Sequence, residues 1–74
     1  MPIKWQDHIE SRPEVLRGKP CLKGTRIPVG IILGYLAAGK RTETIVEEYP
    51  DLKPEQIAAC LDYARELADS EVVV

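Results

Sequence analysis

Val29, Ile32, Leu33 and Leu36 recur at i, i+3, i+4 and i+7, the spacing of one helical stripe. Pro28 is preorganised for a first helical position and Gly39 supplies a left-handed stop, so a helix is predicted over 28–38. A shorter helix is predicted from Thr42, a good N-cap, to Tyr49, with Ile45, Val46 and Tyr49 inward and Glu43, Glu47 and Glu48 outward. Pro50 biases Tyr49 out of helical geometry and ends it. The third helix starts at Pro54 and runs to about Ala68. Ile57, Leu61, Ala64, Leu67 and Ala68 are expected inward with Cys60 beside them, and Glu55, Ala59, Asp62 and Glu66 form the expected outer stripe.

Before residue 28 this periodicity is lost. Pro2, Pro13, Pro20 and Pro28 leave no room for a long helix. Val15-Leu16, Cys21-Leu22 and Arg26-Ile27, separated by Gly18-Lys19 and Gly24-Thr25, read as short strands joined by tight turns. Trp5 and Ile9 are expected to close the core from outside. The expectation is a single, mainly α domain over 1–74. A basic strand-and-turn arm (1–27) precedes a three-helix, homeodomain-like helix-turn-helix bundle (28–69), and a short apolar tail (70–74) follows.

The first helix carries apolar residues beyond its stripe. Ile31 and Tyr35 lie off it, and Gly30, Gly34 and Ala38 leave a smooth strip, so Gly30, Ile31, Gly34, Tyr35 and Ala38 are the candidate dimer interface. A chain of 74 residues buries only about 60% of its unfolded surface, which favours a partner chain as a further source of stability.

Charge changes the picture further. The net −2 divides into −1 over residues 1–11, +6 over residues 12–41 and −7 over residues 42–74. Arg12, Arg17, Lys19, Lys23, Arg26, Lys40 and Arg41 face a single carboxylate, Glu14, within the basic stretch, which points to nucleic acid or an anionic partner. The third helix carries Glu55, Asp62, Glu66 and Asp69, with Arg65 the one cation among them, and is poorly suited to a phosphate-lined groove. Any DNA contact is therefore expected from the arm and the Lys40-Arg41 turn. Arg26 is not needed by its turn, and either the acidic helix or an outside partner would suit it. Gly24 and Thr25 have turn preferences that explain them, with Thr25 a possible cap for the first helix.

Other chemistry is sparse. His8 has no fixed acid beside it, no carboxylate pair is held in a cleft, and two cysteines with one histidine lack metal spacing, so neither catalysis, a cofactor, a metal nor a small-molecule substrate is expected. No apolar run approaches a membrane span, and Met1-Pro2-Ile3-Lys4 leads straight into polar sequence. Cys21 and Cys60 are read as reduced thiols of a cytoplasmic protein.

The stretch GKPCLKGTRIPVGIILGYLAAGKRTETIVEEYPDLKPEQIAACLDYA, residues 18–64, resembles the DUF433 family, an uncharacterised group described as antitoxin-like and similar to VapB antitoxins. Gly24-Thr25-Arg26-Ile27-Pro28-Val29, taken with Tyr49-Pro50 and Leu52, carries the resemblance. It implies a homeodomain-like fold, homodimers and pairing with a PIN-like ribonuclease toxin. The chain departs at Lys53, where Thr or Ser would cap the third helix, and at Cys21, where an aliphatic residue is usual. The expected function is an antitoxin-like protein that neutralises such a toxin and autoregulates through operator DNA. Arg26, Arg12 and Arg17 are the cations expected in the toxin's carboxylate site, and Val72–Val74 is expected on an exposed sheet edge of the toxin. A stand-alone dimeric DNA-binding regulator and a structural interaction module are the alternatives.

Overall fold

The computed structural model describes residues 3–70, so the segment Glu71–Val74 of the expected tail lies outside the described residues. The chain is mainly helical, with three helices and one small antiparallel sheet. Helix α1 spans Val29–Ala37, α2 Thr42–Glu48 and α3 Pro54–Ser70. Strand β1, Ile9–Glu10, pairs with β2, Cys21–Leu22, in the register Ile9 opposite Leu22. Two 3₁₀ turns complete the N-terminal half, at Trp5–Asp7 and Leu16–Gly18.

Of the three expected strands only Cys21-Leu22 forms one. Ile27 stays outside the ladder, although its carbonyl accepts the Leu22 N–H at 3.1 Å and Pro28 bridges to Cys21. Val15-Leu16 leads instead into a left-handed turn, with φ at +52° for Leu16, +57° for Arg17 and +83° for Gly18. An apolar pair beside glycine does not distinguish strand from turn. Buried Val15 anchors this turn, and the Gly18 N–H reaches the Val15 carbonyl at 3.0 Å.

The helix ends follow local chemistry closely. Pro28 sits in extended geometry just before α1, which begins one residue later than expected, whereas Arg41 takes the cap position of α2 and Thr42, the expected cap, is its first helical residue. Gly39 turns left-handed at φ +87°, its N–H bonding the Leu36 carbonyl and the Lys40 N–H the Tyr35 carbonyl, a Schellman motif. Lys53 cannot cap α3 with its side chain, but its own N–H donates to Gln56 Oε1 at 2.8 Å. This is the second half of a capping box.

The core gathers Ile9, Leu22, Val29, Ile32, Ile45, Leu52, Ile57, Ala59 and Cys60 from every element but the 3₁₀ turns. Here α3 is rotated from the expected orientation. Ala59, assigned to the outer stripe, is fully buried, whereas Leu61 and Leu67 are 51% and 53% exposed. Small side chains at 59 and 60 let α3 lie close to its neighbours, and Tyr63 is drawn inward by Trp5, whose ring meets it edge-on at 4.9 Å. Glu66 and Asp62 also turn towards Trp5. The Trp5 Nε1–H donates to Glu66 Oε1 and its backbone N–H to Asp62 Oδ2, each at 3.1 Å.

Burial pushes the Cys60 thiol up from 9.0 to about 11, and Tyr35 rises from 10.0 to about 12 through hydrogen bonds to Tyr49 and then Glu48. Both shifts favour the protonated form in the fold. Their contribution is complete below pH 9 and is lost as pH rises through 9–11 for Cys60 and 10–12 for Tyr35. Thermal unfolding followed by circular dichroism is expected to give a falling Tm above pH 9. A Cys60→Ala variant, less stable at neutral pH, should show a flatter decline between pH 9 and 11. Parallel curves for the two proteins would remove Cys60 as a cause.

Candidate partner-binding surface

The segment from Ile9 to Pro28 is built to hold its loops still. Thr25 Oγ1–H donates to the Leu22 carbonyl at 2.7 Å while the same oxygen accepts the Ile27 N–H at 3.0 Å. The side chain therefore closes the 22–27 turn rather than capping α1. Gly24, at φ +74°, supplies the left-handed position in that turn, where a side chain would be strained. Across the turn, Glu10 Oε2 accepts the Gly24 N–H at 3.4 Å and pairs with Arg12 Nε at 3.4 Å.

Among the seven cations singled out from sequence, Arg12 is thus committed to Glu10. Arg17, Lys19, Lys23, Arg26, Lys40 and Arg41 are exposed and form no ion pair among the described residues. Arg26 does not reach the acidic third helix, whose Asp62 and Asp69 pair with Arg65 at 3.0 and 2.9 Å. The set does not form one patch. Lys23 and Arg26 stand on the 22–27 turn before α1 and Arg17 and Lys19 on or beside the left-handed turn, whereas Lys40 and Arg41 follow the far end of α1. Nine helical residues lie between, about 13 Å. Arg17 is held in a conformation that L-residues adopt at a penalty of about 1–2 kcal/mol, a form of strain that clusters at functional positions.

Beside the left-handed turn lies an apolar groove of about 540 Å³. Its lining comes from Leu16, Lys19 and Pro20 of the turn segment, from Tyr63 and Leu67 of α3, and from Pro28 together with Val29, Gly30, Ile31 and Leu33 of α1. Sequence reasoning did not find this groove, since it placed Leu67 in the core and Leu16 in a strand. The available signal was Gly18, which permits the chain reversal that brings Leu16 out to 38% exposure. Of the candidate dimer residues, Gly30, Ile31, Gly34 and Ala38 are exposed along one strip of α1. Tyr35 turns away to meet Tyr49, the ring centres 6.1 Å apart.

Among the described residues no group of three or more His, Cys, Asp or Glu gathers as for a metal ion, and no helix is long and apolar enough to cross a membrane. Both cysteines are buried and not bridged by a disulfide.

The chain is similar to a protein of Sinorhizobium fredii named Uncharacterized protein y4eO, 38% identical over 56 residues. That match covers 76% of this chain and 25% of the relative, so the chain corresponds to about a quarter of the longer protein. No solved structure matches it. The family model for the protein of unknown function DUF433 matches residues 9–64, which include the β1–β2 pair, the left-handed turn, α1, α2 and most of α3: the chain belongs to the DUF433 family.

Proposed function

We propose that this chain is an antitoxin-like binding protein whose exposed cations enter the acidic site of a PIN-like ribonuclease. The observation that carries the reading is the set Arg17, Lys19, Lys23 and Arg26, displayed on tight turns before α1 with no ion pair among the described residues. A nuclease of that kind holds its divalent metal between clustered carboxylates. A guanidinium binds such carboxylates with two parallel hydrogen bonds and competes with the metal for them. Rigid presentation keeps the ordering loss on binding small, and the Thr25 and Gly24 bonds supply that rigidity to Arg26. The match to only a quarter of the relative supports a binding module that also occurs inside longer chains.

The test starts from the tagged full-length protein purified from its native cell, with partners held in stoichiometric amounts identified by mass spectrometry. A ribonuclease is expected, and its RNA cleavage should fall when the purified chain is added. The Arg17→Glu/Arg26→Glu variant should lose that inhibition by at least tenfold, since each reversed charge repels the site it entered. Inhibition unchanged by the double reversal, or recovery of this chain alone, sinks the reading.

A second reading, a homeodomain-like DNA-binding regulator, draws on Lys40 and Arg41 in the connection into α2, followed by the turn to α3. The Trp5 turn occupies the Asp62–Glu66 face of α3, so the duplex contact in this reading falls to the basic turns. Affinity for DNA should then fall with salt at a slope of about −0.9 per phosphate engaged, and Arg17→Glu/Lys19→Glu/Lys23→Glu should abolish it.

A further inference from the structure

The apolar groove beside the left-handed turn is held in shape by bonds and contacts of the chain itself. The Val29 N–H donates to the Pro20 carbonyl at 3.0 Å and ties the turn segment to the start of α1. On α3, Tyr63 is fixed by its edge contact with Trp5, the ring centres 4.9 Å apart. Buried Val15 anchors the turn that carries Leu16. A preformed concavity of about 540 Å³ with a mostly apolar lining has the size and character of a small-molecule site.

The lining also decides what can enter. Pro20 and Pro28 have no N–H, and the rest of the lining is helix and tight turn, so an added strand finds no backbone edge there. Along α1 the helical lining runs from Val29 to Leu33 and along α3 from Tyr63 to Leu67, about 6 Å in each case. A docked helix needs anchors at i and i+7, about 10 Å apart, so the groove is a turn too short for one. Among the described residues Lys19 is the one charged member of the lining, and it is exposed and forms no ion pair. No lining residue is a carboxylate, so a second copy of this face would bring Lys19 no counter-charge.

We infer that the groove binds a small amphiphilic monoanion of the medium-chain carboxylate class. Its chain lies against Ile31, Leu33 and Leu67, and its carboxylate meets the Lys19 ammonium. Exposed Arg17, two residues before Lys19, adds to the positive field at that end. Gly30 keeps the path of the chain open, since a Cβ built there meets nothing within 4 Å. Burial of the chain supplies the affinity, and the cation supplies the choice of head group. The site does not depend on the antitoxin reading.

Decanoate, kept well below the concentration at which it forms micelles, is the probe, titrated into the isotope-labelled full chain and followed by NMR. One saturable site with a Kd on the order of 10–100 μM is expected, with amide shifts centred on Leu16, Lys19, Ile31 and Leu67. The wild type should prefer decanoate to n-decylammonium by about tenfold or more, and Lys19→Glu should cut that preference by about tenfold. Lys53→Glu makes the same charge change about 20 Å along α3 from Leu67 and should leave the preference intact. Gly30→Leu fills the groove from an exposed helical position where leucine is the better helix former. That variant should keep its helical circular dichroism and bind decanoate about tenfold more weakly or worse. A Kd above about 1 mM, shifts spread evenly over the chain, or full binding by folded Gly30→Leu overturns the site. Equal binding of decanoate and n-decylammonium overturns the assigned head group. Binding to phosphatidylglycerol vesicles with none to free decanoate overturns the proposal in favour of a lipid surface.

Discussion

Trp5→Ala is expected to destabilise the chain by about 2–4 kcal/mol, near the lower part of the range for removing a large aromatic because Trp5 is only half-buried. The loss has three parts. The ring gives up its edge contact with Tyr63, the indole N–H no longer reaches Glu66, and the partly buried apolar surface beneath the 3₁₀ turn becomes wet. The backbone bond from residue 5 to Asp62 survives the substitution but loses the packing that holds it in place. For a chain of this size total stability is on the order of 4–11 kcal/mol, so the change removes a large fraction of it. Trp5→Phe separates the parts. It keeps an aromatic edge on Tyr63 and deletes the indole donor, and should cost about 1 kcal/mol. Urea unfolding followed at 222 nm measures both, and a Trp5→Ala midpoint equal to that of wild type would show that the turn does not secure α3.

Much of this arrangement was legible in the sequence, because the helices are marked by local chemistry. Pro28, Gly39, Pro50 and Pro54 fix where backbone bonding can begin or end, and the observed boundaries lie within one or two residues of those marks. Trp5 was also legible as a lid, since an indole of that size leaves water whenever a small core offers it cover. The rotation of α3 was not. Hydropathy ranks Leu61 and Leu67 above Ala59, but close helix packing selects for volume, and alanine and cysteine at 59 and 60 permit an approach that leucine would block. The candidate site was half-legible. Composition identified the seven cations, but their distribution depends on the 13 Å or so spanned by α1 and on the pairing of Arg12 with Glu10, both products of the fold. The groove was hidden for a further reason. It exists only because Leu16, Arg17 and Gly18 adopt a left-handed turn, a conformation that two of these three residue types disfavour.

Leu22→Ala and Leu61→Ala make the sharpest contrast available, since the same side chain is removed from two environments that hydropathy alone does not separate. Leu22 is fully buried in β2. Its N–H is bonded to the Ile27 carbonyl, and it lies in the cluster with Ile9, Val29 and Ile32. Truncation there removes transfer free energy and leaves a cavity that a clamped turn cannot collapse to fill, so about 3–5 kcal/mol is expected. That approaches the whole stability of the chain, and the variant should be largely unfolded by about 45 °C, with the m-value for urea reduced if unfolding loses cooperativity. Leu61, 51% exposed on a helix where alanine is the better former, should cost less than about 1 kcal/mol. The difference between the two, measured by urea midpoint at one temperature, reads out the rotation of α3 and the depth of the β1–β2 pair together. If Leu61→Ala proved as damaging as Leu22→Ala, α3 would have to turn its leucines inward. The exposed wall of the groove formed by Leu67 would then be lost with it.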